Sequence, residues 1–142
     1  MKKEIEQLTT VGGFKCIGGA CEDSCCTGWT VDVDEVTYHY LMSKADHKLT
    51  KRIQNNLFIN EGSFSKEVDF ANVILTADKK CAYLNEERLC DLQISFGETG
   101  ISNVCNLYPR ILNKVNGKIE RSLSVSCPEA ARRILLTSSW PE

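Results

Sequence analysis

Four cysteines, Cys16, Cys21, Cys25 and Cys26, fall within eleven residues, and four more follow at Cys81, Cys90, Cys105 and Cys127. A chain with this set must spend its thiols on disulfides, on metal ligation or on packing. The adjacent pair Cys25 and Cys26 is the strongest constraint. Neighbouring thiols are awkward partners for one disulfide, yet they can address two faces of one site, or two sites. Disulfide scaffolds serve small secreted domains whose cores are thin. Here the first eight residues, Met1-Lys2-Lys3-Glu4-Ile5-Glu6-Gln7-Leu8, are charged and lack the apolar stretch of a secretory signal. That start predicts a cytoplasmic protein. With 142 residues, 42% of them hydrophobic, the chain can bury a core without covalent staples. The thiols therefore read as ligands for zinc or an iron–sulfur cluster.

The rest of the composition removes other classes. A net charge of -2 with 25% charged residues gives no electrostatic reason to expect nucleic acid or an anionic membrane as partner. The longest apolar runs, Val73-Ile74-Leu75 and Ile134-Leu135-Leu136, are far too short to cross a bilayer. No linker or internal repeat divides the chain, which reads as a single domain over 1–142. Phosphate-binding loops, nucleophile elbows and paired-histidine zinc motifs are absent.

Local patterns predict an α+β fold: a small, metal-centred, cysteine-rich domain with a helical segment, a β-hairpin and a C-terminal helix. Glycines 12, 13, 18, 19 and 28 let the segment from Phe14 to Trp29 turn tightly enough to wrap an inorganic centre. Asp32 and Glu35 are spaced as a capping box. Tyr38, Leu41, Met42 and Ala45 then mark one helical face, and Leu49, Ile53 and Leu57 continue it beyond a polar break at Asp46. Asn60 to Ser65 reads as loop, and Val68 to Leu75 as a strand. A turn around Asn85-Glu86-Glu87-Arg88 brings Cys81 and Cys90 toward a common centre, while Ile94 to Leu107 fits either class. Asn116-Gly117, flanked by Ile111, Val115, Ile119, Leu123 and Val125, suits a type I′ hairpin turn. Ser126-Cys127-Pro128-Glu129 reads as a capping box with proline in the first turn of a helix through Leu136. Cys127 thus stands at a helix N-terminus, where free N–H groups favour a thiolate.

Spacing does not choose the metal. Cys16-x₄-Cys21 and Cys21-x₃-Cys25 suit half a zinc site, but no second close pair follows. The plant-type cluster spacing is missed by one residue, and radical chemistry on S-adenosylmethionine would need a cysteine where Gly28 stands. His39 and His47 read as helix-surface residues. Glu22 and Asp23 read as a solvated turn, with an acid/base pair as the alternative. Trp29 and Tyr108-Pro109-Arg110 read as packing residues, with a role at the site as the alternative.

Longer stretches carry a resemblance. These are Phe14-x-Cys16, Cys21-Glu22-Asp23-Ser24-Cys25-Cys26-Thr27-Gly28-Trp29, Cys81-Ala82-Tyr83-Leu84, Leu89-Cys90, Gly97-Glu98, Cys105-x-x-Tyr108-Pro109-Arg110 and Ser124-Val125-Ser126-Cys127-Pro128-Glu129-Ala130-Ala131-Arg132. Together they resemble the flagellin lysine-N-methylase (FliB) family, over its N-terminal, cysteine-rich part. The chain is also similar, more loosely, to the CxxCxxCC zinc- or iron-chelating proteins. The first resemblance implies a cytoplasmic bacterial enzyme that methylates flagellin lysines from S-adenosylmethionine. Its cysteines would hold an iron–sulfur cluster, of the 4Fe-4S type, or zinc. It also implies a longer architecture with a C-terminal domain beyond this chain. No spacing identifies catalytic or methyl-donor-binding residues, although Tyr38, Tyr108 or Glu22 and Asp23 are available to accept a proton. The alternative is a non-enzymatic chelating or redox-sensing module.

Single Cys→Ser changes rank the ligands, since they keep size and replace a soft thiolate with a poor donor. Cys21, Cys25, Cys26 and Cys127 lead, followed by Cys16, Cys81, Cys90 and Cys105. At least two of the four leading changes are expected to abolish metal binding, and changes at His39 or His47 to leave it intact. Metal content that survives all four leading changes places the site elsewhere.

Overall fold

A computed structural model describes residues 5–7, 9–44 and 46–136. Its elements are, in chain order, β1 (Ile5–Gln7), α1 (Thr9–Gly12), β2 (Val31–Val33), α2 (Glu35–Lys44), α3 (His47–Asn56), β3 (Leu57–Ile59) and α4 (Lys66–Asp69). There follow β4 (Ala71–Val73), α5 (Asp91–Phe96), α6 (Asn103–Leu107), β5 (Arg110–Val115), β6 (Lys118–Leu123) and α7 (Pro128–Leu136). The mixture is α+β, as the sequence patterns predict. Contacts divide the chain into two compact units, Cys26–Asn106 and Met1–Cys25 with Leu107–Glu142.

In the unit Cys26–Asn106, three short strands form an antiparallel sheet in the order β2-β4-β3. Val31 and Val33 alternate inward with Asp32 outward, the period-2 pattern of a strand with one buried face. Asp32 is therefore not the helix cap expected of it; it accepts a hydrogen bond from Asn72 Nδ2 at 2.7 Å. Asp34 starts α2 instead, its carboxylate accepting from the Thr37 N–H at 2.9 Å and the Thr37 hydroxyl at 2.8 Å. Asp46 starts α3 in the same way through the Leu49 N–H at 2.9 Å. Leu41, Leu49, Ile53 and Leu57 are buried as the apolar stripe predicts, with Tyr38 and Met42 packed at the margin of their cluster. Ala45 lies outside the described residues. Leu57 belongs to β3 rather than to the helix, so the stripe crosses a change of element.

The strand expected over Val68 to Leu75 is shorter, because Asp69 winds its N-terminal half into α4. The buried Asp69 carboxylate accepts from Ser63 Oγ at 2.7 Å, from the Ser65 N–H at 3.1 Å and from the Phe64 N–H at 3.4 Å. A carboxylate so placed gathers the preceding loop around itself, and the strand proper is Ala71–Val73, with Leu75 making an isolated bridge beyond it. The ambiguous stretch from Ile94 resolves into the end of α5, a 3₁₀ turn at Gly97–Gly100 and α6.

In the other unit, β5 and β6 form the expected hairpin. Asn116 and Gly117 take positive φ of 49° and 81°, as a type I′ turn requires. β1 adds to β6 in parallel, pairing Ile5 with Ile119, a contact that no local pattern announces. Val11, Phe14, Leu123, Cys127 and Ala130 make the core of this unit. α7 begins at Pro128, one residue later than the expected box allows. Cys127 is thus the residue before the helix, and its carbonyl accepts from the Ala131 N–H at 2.8 Å. Ser126 Oγ is engaged instead by Ser124 Oγ at 2.7 Å and Tyr108 Oη at 3.1 Å. Glu129 pairs with Arg132.

Burial alone would raise the Asp69 carboxyl, but the hydrogen bonds from Ser63, Ser65 and Phe64 hold it below the usual range. A depressed carboxyl stabilises the fold above its unfolded pKa, about 3.9, and loses that contribution as pH falls through the folded value. Asp69→Asn is therefore expected to lower the urea midpoint at neutral pH and to flatten its fall below about pH 4. Parallel pH profiles for the two proteins would contradict this role.

Candidate metal centre

All eight cysteines are thiols. The boundary between the units falls between Cys25 and Cys26, giving one unit Cys26, Cys81, Cys90 and Cys105 and the other Cys16, Cys21, Cys25 and Cys127.

Within Cys26–Asn106, backbone pairing brings distant cysteines together. The Cys81 N–H donates to the Cys26 carbonyl at 2.7 Å, and Leu75 bridges to Cys81. The chain then turns at once, the Leu84 N–H donating to the Cys81 carbonyl at 3.0 Å. Leu84 bridges back to Cys90 across the turn expected at Asn85-Glu86-Glu87-Arg88. Asn85 closes that turn by accepting from the Leu89 N–H at 2.9 Å, and Arg88 supplies a positive φ of 62°. Burial pushes the Cys81 thiol up, hydrogen bonds from the backbone of Tyr83 and Leu84 act against it, and the neighbouring Cys90 raises it further. Cys90 immediately precedes α5, and Cys105 lies in α6 with its N–H on Ser102 Oγ at 3.4 Å. Cys26, Cys90 and Cys105 all pack against the core that contains Cys81.

Two residues that sequence reasoning missed support this group. Tyr83 is 1% exposed, and its hydroxyl has no hydrogen-bond partner among the described residues. Burial, Cys81 and Cys90 all push its phenol up, so it stays protonated, with Arg52 opposing. Leaving a buried hydroxyl unpaired costs about 1–3 kcal/mol. Arg52 clamps the loop: it donates to Asp91 Oδ2 at 2.5 Å and to the Ala82 carbonyl at 2.9 Å, and its guanidinium lies 6.0 Å from the Tyr83 ring centroid. Arg52 stands beside Leu49 and Ile53 in α3 with Lys48 and Lys51 close by, so no local signal singles it out. For Tyr83 the signal was its place two residues after a cysteine, where N–H groups turn toward sulfur.

In the other unit, Cys127 is buried beside Phe14, and Cys16 Sγ accepts from the Gly18 N–H at 3.3 Å. Burial raises the Tyr108 phenol, its Ser126 hydrogen bond lowers it, and the charges of Cys127, Cys25 and Asp23 raise it again. Tyr108 thus lies within electrostatic reach of two of the four thiols. Glu22 pairs with Arg132, and Asp23 accepts from the Ser24 N–H at 2.7 Å, so these acids shape a turn. Arg110 stacks over Phe14, 5.2 Å from its ring centroid. In the first unit Trp29 packs against the core, and His39 is exposed on α2.

The donor chemistry fits a thiolate-bound zinc or iron–sulfur centre. Each unit carries four cysteines, and backbone N–H groups face Cys16 and Cys81. Among the described residues, no three or more His, Cys, Asp or Glu side chains are gathered closely enough to hold an ion. The unit Cys26–Asn106 carries an open groove of about 460 Å³ lined by Thr37, Tyr40, Glu98, Asn103 and Asn106 among others. The two asparagine amides already donate to Asp34 and to the Glu98 and Ile101 carbonyls.

The chain is 32% identical over 133 residues to the flagellar biosynthetic protein FliU of Salmonella muenchen, covering 92% of this chain and 76% of that one. It is 31% identical to lysine-N-methylases of Salmonella typhimurium and Salmonella choleraesuis, again over 92% of this chain but only 32% of theirs. No family model matches, and no solved structure does. The chain belongs to the lysine-N-methylase (FliB) family. It spans about three quarters of the length of FliU and about a third of the length of the two lysine-N-methylases. Among the described residues no helix is long and apolar enough to cross a membrane.

Proposed function

We propose that this chain supplies the thiolate-bound metal domain of a cytoplasmic, bacterial flagellin lysine-N-methylase that uses S-adenosylmethionine. The observation that carries this reading is the match of 92% of the chain to proteins named lysine-N-methylase and FliU, spanning all eight thiols. The metal is an iron–sulfur cluster, of the 4Fe-4S type, with zinc as the alternative. Its ligands come from Cys26, Cys81, Cys90 and Cys105, and from Cys16, Cys21, Cys25 and Cys127. When bound, such a centre supplies folding free energy and fixes the loops that carry its ligands.

Methyl transfer to lysine moves the sulfonium methyl of S-adenosylmethionine onto a neutral amine nitrogen. It leaves S-adenosylhomocysteine and one proton, which a base must accept. In this reading the chain supplies metal ligands, and none of its residues is identified with a methyl-donor pocket. Burial raises both the Tyr83 and the Tyr108 phenol, which favours their neutral forms.

The test is anaerobic reconstitution with iron and sulfide, followed by incubation with flagellin and labelled S-adenosylmethionine, for this chain alone and joined to the remaining length of a lysine-N-methylase. The expected outcome is metal uptake by the chain alone and label on flagellin lysines with the joined protein. Metal uptake without label in either protein would favour a chelating or redox-sensing module.

A further inference from the structure

We infer that the free edge of β5 is a docking site for an extended, acidic polypeptide segment, which adds to the sheet as a further strand. The inference is independent of the metal reading, since no cysteine lies in β5. β5 ends the sheet order β1-β6-β5, so one of its edges has no neighbouring strand among the described residues. The register decides which backbone groups face that way. The two-residue turn at Asn116-Gly117 makes Val115 and Lys118 the first hydrogen-bonded pair, and in an antiparallel ladder such pairs alternate. Asn113 with Glu120 and Ile111 with Ser122 come next, and the Ser124 N–H on the Pro109 carbonyl at 2.7 Å continues the series. The N–H and C=O groups of Arg110, Leu112 and Lys114 therefore point away from β6, and no backbone partner meets them among the described residues.

Exposure and charge say what fits there. Open edges are commonly shortened, bulged or blocked by proline. β5 instead runs six residues in unbroken register with no proline or glycine. Ile111, Leu112 and Val115 are 41%, 46% and 41% exposed, Leu112 on one face of the sheet and the other two on the opposite face. An added strand would shield all three. β5 carries Arg110 and Lys114 and no acid, both cations on the face of Leu112. Arg110 is held over Phe14, whereas Lys114 is exposed near the turn. A second copy of this chain fits poorly. Antiparallel pairing centred on Leu112 would set Arg110 against Lys114 twice, and like charges directly opposite each other destabilise a sheet. A segment with acidic residues at both ends and apolar residues between them satisfies the outward backbone groups, covers the apolar side chains and opposes both cations.

A short, blocked, fluorescent peptide with a glutamate at each end and valine and threonine between them is titrated into the full chain, beside a control in which lysines replace the glutamates. The acidic peptide is expected to bind saturably, more weakly as salt rises, and at least about 5-fold more tightly than the control. Amide hydrogen exchange at Leu112 and Lys114 should slow when it binds. Lys114→Glu should weaken the acidic peptide about 5-fold and favour the control. Leu112→Pro removes an outward N–H that the hairpin does not use, at an edge position that tolerates proline, and should abolish binding. Lys114→Glu keeps the test decisive if Leu112→Pro fails to fold, because it changes only an exposed side chain. Absence of binding, equal affinity for the two peptides, or unchanged exchange at Leu112 and Lys114 would overturn the inference. A dimer of the chain that Leu112→Pro dissociates would also overturn it, by showing that a second copy occupies the edge.

Discussion

The Arg52 clamp is the interaction on which the Cys26–Asn106 unit depends. One guanidinium holds the Asp91 carboxylate and the Ala82 carbonyl and lies over the Tyr83 ring, tying α3 to both ends of the loop that carries Cys81 and Cys90. Arg52 leads the causes that hold the Asp91 carboxyl below its usual range, and Asn85 adds a second hydrogen bond at 3.0 Å. A loop of this length closed by hydrogen bonds alone would sample many shapes. The fork of a guanidinium, which satisfies several acceptors in one plane, restricts it to one.

That restriction explains how a small core coexists with so many thiols. The buried residues fall into one larger cluster in Cys26–Asn106 and a much smaller one around Phe14, Leu123 and Cys127. The smaller unit has little apolar surface with which to offset chain entropy, the situation in which small domains recruit a metal. On the proposed reading, a metal held by its four cysteines would stabilise this unit. In the larger unit the sheet, α2 and α3 form a scaffold of their own. There Cys81 is part of the core and Cys26, Cys90 and Cys105 pack against it, so on the proposed reading a metal would order a site more than a fold.

What the sequence made legible follows from how local each signal is. Asn116-Gly117 announces its own turn, and Pro128 announces the start of α7, because each acts through the φ of its own residue. The apolar stripes of α2 and α3 were equally readable. Capping was less so: Asp32, Asp34 and Glu35 all stand at the start of α2, and only the alternation of Val31 and Val33 into the core settles that Asp34 takes the helix. Asp69 overturned the strand expected at Val68 because its partners, Ser63, Phe64 and Ser65, lie upstream in what read as plain loop. The parallel pairing of β1 with β6 joins residues more than a hundred positions apart, beyond any local pattern. For the site, the cysteines and the turn between Cys81 and Cys90 were visible. Tyr83 and Arg52 were not, since burial of a hydroxyl and the reach of a guanidinium are properties of the fold.

The central claim is that the two groups of thiols serve a metal. The most direct test is elemental analysis of anaerobically purified protein together with its visible spectrum and a count of alkylatable thiols. The account predicts iron with acid-labile sulfide, a brown chromophore and thiols protected from alkylation until the metal is removed, with stoichiometric zinc as the alternative. Metal-free, colourless protein that keeps its fold, with the cysteines alkylating freely, would contradict it.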